Sequence, residues 1–138
     1  MTAPPPATVR RARGGDLKRR LVTALQVRVI NPPVRALAAG LREIAACPLR
    51  IVLLHYAPTS DTLGGEPREI WSFLGSERLA APILEHRPDL VLHGHAHAGR
   101  LHGSLQGVPV YNVSIPVLGR DYRVFELTAA RTPSSSLR

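Results

Sequence analysis

The sequence predicts an α/β fold in which a βαβ unit is followed by antiparallel strands, and three observations carry that prediction. Two short, continuous apolar runs, Ile51-Val52-Leu53-Leu54 and Leu90-Val91-Leu92, read as strands covered on both faces. Between them Leu79, Ile83 and Leu84 recur at helical spacing behind Ser76, a residue suited to an N-cap. After them, 101–105, 107–113 and 122–127 read as further strands, the first two joined in a hairpin at Gln106-Gly107.

Taken in order, residues 1–20 are rich in Pro, Arg and Gly without apolar periodicity and are expected to form a basic, disordered tail. Leu21 to Ile30 is a moderately apolar stretch that suits a strand or a short helix, and Asn31-Pro32-Pro33 ends it. Val34, Leu37, Leu41 and Ile44 then recur at helical spacing, with Pro33 fit for a first turn and Pro48 as a stop, which predicts an amphipathic helix over 33–46. The segment 21–49 is thus a linker and a helix. Ile51 to Leu54 follows as an interior parallel strand. The connection from Thr59 to Gly75 is longer than an ordinary loop and carries the apolar patch Ile70, Trp71, Phe73 and Leu74. Pro82 is expected to kink or delay the helix after Ser76. The Ser- and Arg-rich end, 128–138, is expected to fray.

Composition narrows the function classes. The 138 residues suffice for one domain, 44% of them are hydrophobic, and no apolar run approaches the roughly 20 residues of a membrane span. The net charge of +8 is confined to residues 1–50, which hold ten Lys/Arg against two Asp/Glu. Every basic residue except Lys18 is Arg, only 4% of residues are aromatic, and no nucleic-acid motif is present, so a nucleic-acid partner is not expected. Cys47, the single cysteine, cannot form an internal disulfide, and a secretory signal's apolar core is missing; a reducing, cytoplasmic setting is expected. Asn112-Val113-Ser114 fits a glycosylation acceptor, a triplet without meaning in that setting.

The chemistry lies in the histidines. Two buried strands joined by a helix run parallel, so the residues past their C-terminal ends emerge at one edge of the sheet, where open α/β sheets bind ligands. His55 therefore becomes a neighbour of His95 and His97 in Gly94-His95-Ala96-His97. A lone histidine at a strand end is ordinarily just a polar residue, but this cluster, flanked by glycines that let the backbone bend, suits a metal site. His93, at the strand terminus, is expected to pack or hydrogen-bond behind the ligands. His86 and His102 are expected at the surface.

The runs Leu54-His55-Tyr56-Ala57-Pro58, Gly65-Glu66-Pro67, Phe73-Leu74-Gly75-Ser76, Leu92-His93-Gly94-His95-Ala96-His97 and Gly107-Val108-Pro109-Val110-Tyr111-Asn112-Val113 together resemble the C-terminal half of a calcineurin-like metallophosphoesterase. The likeness covers about 50–127. It implies part of a four-layer α/β/β/α sandwich that holds two divalent ions, commonly Mn, Fe or Zn, and hydrolyses a phosphate ester substrate. Under it His55 and His95 resemble ligands of one metal, and His97 resembles a ligand of the other.

The family's upstream motifs are not in this sequence. None of Asp16, Asp61, Asp89 and Asp121 has His two places later, Arg19 stands where a second Asp would follow Gly15-Asp16, and neither Asn31 nor Asn112 precedes His. The catalytic residue is thus unassigned. Three imidazoles without a bridging carboxylate cannot hold two divalent ions against their repulsion, so at most one ion is expected, with Asp61 or Glu66 as conceivable oxygen donors. A phosphoesterase that is truncated, or one half of a split domain, is the leading expectation. It would be weakly active or inactive alone and would need a missing N-terminal half or a second copy as partner. The alternative is a catalytically dead metal- or partner-binding module that uses uncovered apolar sheet surface as an interface.

Overall fold

The computed structural model of the chain describes residues 33–128. The basic tail expected over 1–20, the apolar stretch at 21–30 and the chain end from 129 lie outside the described residues.

Helix α1 occupies 33–43. Of the predicted apolar stripe Val34, Leu37, Leu41 and Ile44, the last three meet the core. The helix stops three residues short of the expected 46, because the chain tightens there: Ala45 N–H donates to Arg42 O and Cys47 N–H to Ile44 O, at 3.2 and 3.0 Å. Pro48, with no N–H of its own, follows.

Strand β1 (Ile51–Leu54) comes next. Instead of an irregular loop, the long connection holds a 3₁₀ turn at Ser60–Leu63, another at Arg68–Ile70 and the one-turn helix α2 (Trp71–Leu74). Ser76 is an N-cap as predicted, its side chain accepting from Arg78 N–H, but it opens a 3₁₀ turn, Glu77–Leu79. Helix α3 (Ala80–His86) then begins with Pro82 in its first turn, where a missing N–H costs no helical bond. Strands β2 (Leu90–His93), β3 (His102–Leu105) and β4 (Val108–Asn112) and a one-turn helix α4 (Ile115–Leu118) complete the elements.

These strands form one mixed sheet in the order β1-β2-β4-β3. Strand β1 pairs parallel with β2, β2 pairs parallel with β4, and β3 pairs antiparallel with β4. The β3–β4 hairpin turns at Gln106 and Gly107, both at positive φ (46° and 90°), the geometry that matches the twist of the flanking strands. Paired residues share a face, so Val52, Val91 and Val110 line one side of the sheet, where they pack with Leu41 of α1 and Ile83 of α3. A second cluster, Ala57, Leu63, Leu74 and Ala96 with Trp71 beside it, fixes the long connection to the chain after β2.

Two expectations are corrected. Among the described residues β1 lies at the edge of the sheet rather than inside it; Val52 is buried, but Ile51 and Leu53, on the opposite side, are 45% and 74% exposed. Residues 122–127 form no strand, since no described strand edge accepts them; Phe125 instead packs edge-on to Tyr111 at 4.9 Å, under Arg123. Among the described residues no helix is long and apolar enough to cross a membrane.

Candidate functional site

Register brings the first two histidines together. Leu54 pairs with His93, so His55 and Gly94 leave the sheet side by side and His95 lies one residue beyond. The two rings sit with centroids 4.5 Å apart and planes at 37°. Tyr56, a neighbour that sequence reasoning did not single out, stands edge-on to both, at 4.8 Å from His55 and 5.4 Å from His95. His97 lies on the exposed turn that follows, and among the described residues no group of three or more His, Cys, Asp or Glu side chains is gathered for a metal ion. The pair is formed; the third histidine is not folded onto it.

The approach of His95 depends on an unusual backbone. Its φ is 68°, and the N–H of Ala96 donates to the carbonyl of Gly94 at 2.8 Å, closing a three-residue turn around it. A γ-turn of this hand is the rare and strained one.

The surrounding loop is held from several sides. His93, fully buried, places Nδ1 2.9 Å from Gly94 O and Nε2 2.8 Å from Thr62 Oγ1. A carbonyl only accepts, so Nδ1 carries the proton and the threonine hydroxyl donates to Nε2. Burial holds this imidazole below its ordinary pKa near 6.5, against a smaller opposing effect of the bond to Gly94. The expectation that His93 would pack and hydrogen-bond behind the pair describes this arrangement. The carbonyl of Ala96 accepts from Asn112 Nδ2 at 2.6 Å and from Ser114 Oγ at 3.0 Å. Arg100 N–H donates to Thr62 O at 2.9 Å and Ala98 N–H to Glu66 Oε1 at 2.7 Å. Where the two loops touch, glycine is required: a Cβ on Gly65 would strike the Ala98 carbonyl, and one on Gly99 the Thr62 carbonyl.

The long connection is therefore a clamp on the histidine loop. Two of its carboxylates serve main-chain amides, for Asp61 Oδ2 accepts from Ser104 N–H at 3.2 Å and Glu66 from Ala98 as above. Asn112 is fully buried with its amide engaged, so the glycosylation triplet presents no acceptor. His102 is exposed and rests on Tyr111, as a surface residue should. His86 departs from expectation: its side chain is only 15% exposed and its Nε2 is enclosed at the end of α3.

No protein-family model, no curated protein and no solved structure matches the chain.

Proposed function

We propose that residues 50–127 are the C-terminal half of a calcineurin-like metallophosphoesterase, part of its four-layer α/β/β/α sandwich, acting on a phosphate ester in a cytoplasmic setting. The observation that carries this reading is the meeting of His55 and His95, 4.5 Å apart, past the C-terminal ends of two adjacent parallel strands. Neutral imidazoles are fitting donors for one borderline divalent ion of the Mn, Fe or Zn kind. Such an ion, when bound, would supply Lewis acidity toward a phosphoryl oxygen.

The chain's own part is to hold and orient. His55 is exposed and His95 half-buried, so the pair is open to a ligand, while Tyr56 fixes both rings from one side. The bridging carboxylate and the proton donor of a working phosphoesterase would come from residues outside this set. A partner-binding module is the second reading, and it is favoured by one specific feature, the exposed Ile51 and Leu53 on β1, the outermost strand among the described residues.

An activity assay separates the two. The purified chain with Mn(II) should give no turnover of aryl phosphomonoesters or diesters. Addition of an N-terminal metallophosphoesterase half carrying the Asp-x-His, Gly-Asp-x-x-Asp and Gly-Asn-His motifs should restore turnover, and His95→Ala should abolish it. Failure of every such half to restore activity would contradict the phosphoesterase reading and leave the binding module.

A further inference from the structure

We infer that Asn112, assisted by Ser114, is a positioning residue that holds His95 against His55 by anchoring the carbonyl of Ala96. The inference deepens the proposed metal site and rests on that reading for its consequence, though not for its geometry.

Three residues other than glycine have positive φ among those described: Arg87, Gln106 and His95. Arg87 follows the last turn of a helix and Gln106 sits in a two-residue hairpin turn, both common places for a left-handed residue. His95 occupies neither. A single turn hydrogen bond, from Ala96 N–H to Gly94 O, closes around it, so the conformation must be imposed from outside.

One constraint lies on the residue before, where His93 Nδ1–H donates to the Gly94 carbonyl at 2.9 Å; the other falls on the next residue. Ala96 is fully buried, and its carbonyl receives two donors, Asn112 Nδ2 and Ser114 Oγ. Asn112 is itself fully buried, and its Oδ1 accepts from Ser114 N–H at 3.1 Å, which fixes which end of the amide faces Ala96. If the Nδ2 donor is replaced by an acceptor, Ser114 Oγ is the carbonyl's remaining donor, and repulsion between the two facing oxygens rotates the Ala96 peptide and with it the φ and ψ of its neighbours. Asn112 also pairs with His93 in the β2–β4 ladder, so the anchor is part of the sheet rather than of a loop. Sheet rigidity is thereby transmitted to a strained ligand, as outer partners of metal-binding histidines commonly do.

The test uses the full chain, with Asn112→Asp, which keeps volume and acceptor and, when ionised, lacks the donor, and the milder Ser114→Ala. Nuclear Overhauser cross-peaks between the His55 and His95 ring protons, measured without metal, should be present in the wild type, absent from Asn112→Asp and weakened in Ser114→Ala. Co(II) affinity should fall at least 10-fold in Asn112→Asp. In a His95→Ala background the same substitution should cause no further loss, which a merely structural role would not predict. Should Asn112→Asp fail to fold, Ser114→Ala carries the test through the same cross-peaks. Cross-peaks of unchanged intensity in the variants that fold would overturn the inference. If the wild type binds no Co(II) while the cross-peaks still vanish in Asn112→Asp, the positioning role stands and the metal reading falls.

Discussion

At His95 the backbone and the side chain make opposing demands. A residue with a Cβ held at φ 68° is strained by about 1–2 kcal/mol, and glycine would relieve it. His95→Gly should therefore be more stable than His95→Ala by about 1 kcal/mol in urea denaturation, though neither variant retains the imidazole; equal stabilities would show the turn to be unstrained. His93, two residues before, carries a different liability. Its pKa is lowered in the folded chain, so the unfolded chain takes up the proton first as pH falls. The stabilisation is complete above the ordinary value near 6.5 and declines below it, until the folded value is reached. The loss should approach at most about 1.4 kcal/mol per pH unit. Stability measured with chelator between about pH 7.5 and 5.5 should drop in the wild type and drop less in His93→Gln; parallel losses would assign the acid sensitivity to other groups.

Among the described elements, α3 has its end fixed from a distance. Arg50, just before β1, is almost wholly buried, and its guanidinium donates to the carbonyls of His86 and Arg87 at 2.8 and 2.7 Å. There it meets the negative end of the helix, with carbonyls that lack partners within α3. Arg50→Ala should cost about 2–4 kcal/mol in chemical denaturation, since two part-buried carbonyls lose a charged donor; a cost under about 0.5 kcal/mol would mean water replaces it. The βαβ unit was legible in the sequence, because continuous apolar runs and the spacing of Leu79 and Ile83 report burial directly. The place of β1 at the edge of the described sheet was not, for periodicity marks a strand but does not name its neighbours. The same limit explains 122–127, whose apolar residues suit a strand yet find no ladder. In the site, His55 and His95 were legible because topology alone places two strand ends together. Thr62, Asn112 and Ser114 were hidden because they act on residues 31, 16 and 18 positions away, through bonds that leave no local pattern.

For the whole molecule, the uneven covering of the sheet is the feature with the widest consequence. One face packs on α1 and α3, while Ile51 and Leu53 on the other side of β1 stay exposed, a surface suited to another chain. Leu53→Glu should reduce self-association in sedimentation velocity and leave thermal stability nearly unchanged, because a residue 74% exposed contributes little to the core; a marked fall in stability would mean that this side is covered within the chain. Such a surface accords with half a sandwich and with a binding module alike, so the histidine pair must decide between a metal site and a simple contact. The most direct measurement is titration of the wild type, His55→Ala and His95→Ala with Co(II), followed by visible absorption. One ion per chain with a histidine-ligated spectrum, lost in both variants, is the predicted result; no binding by the wild type, or binding that survives both substitutions, would contradict the account.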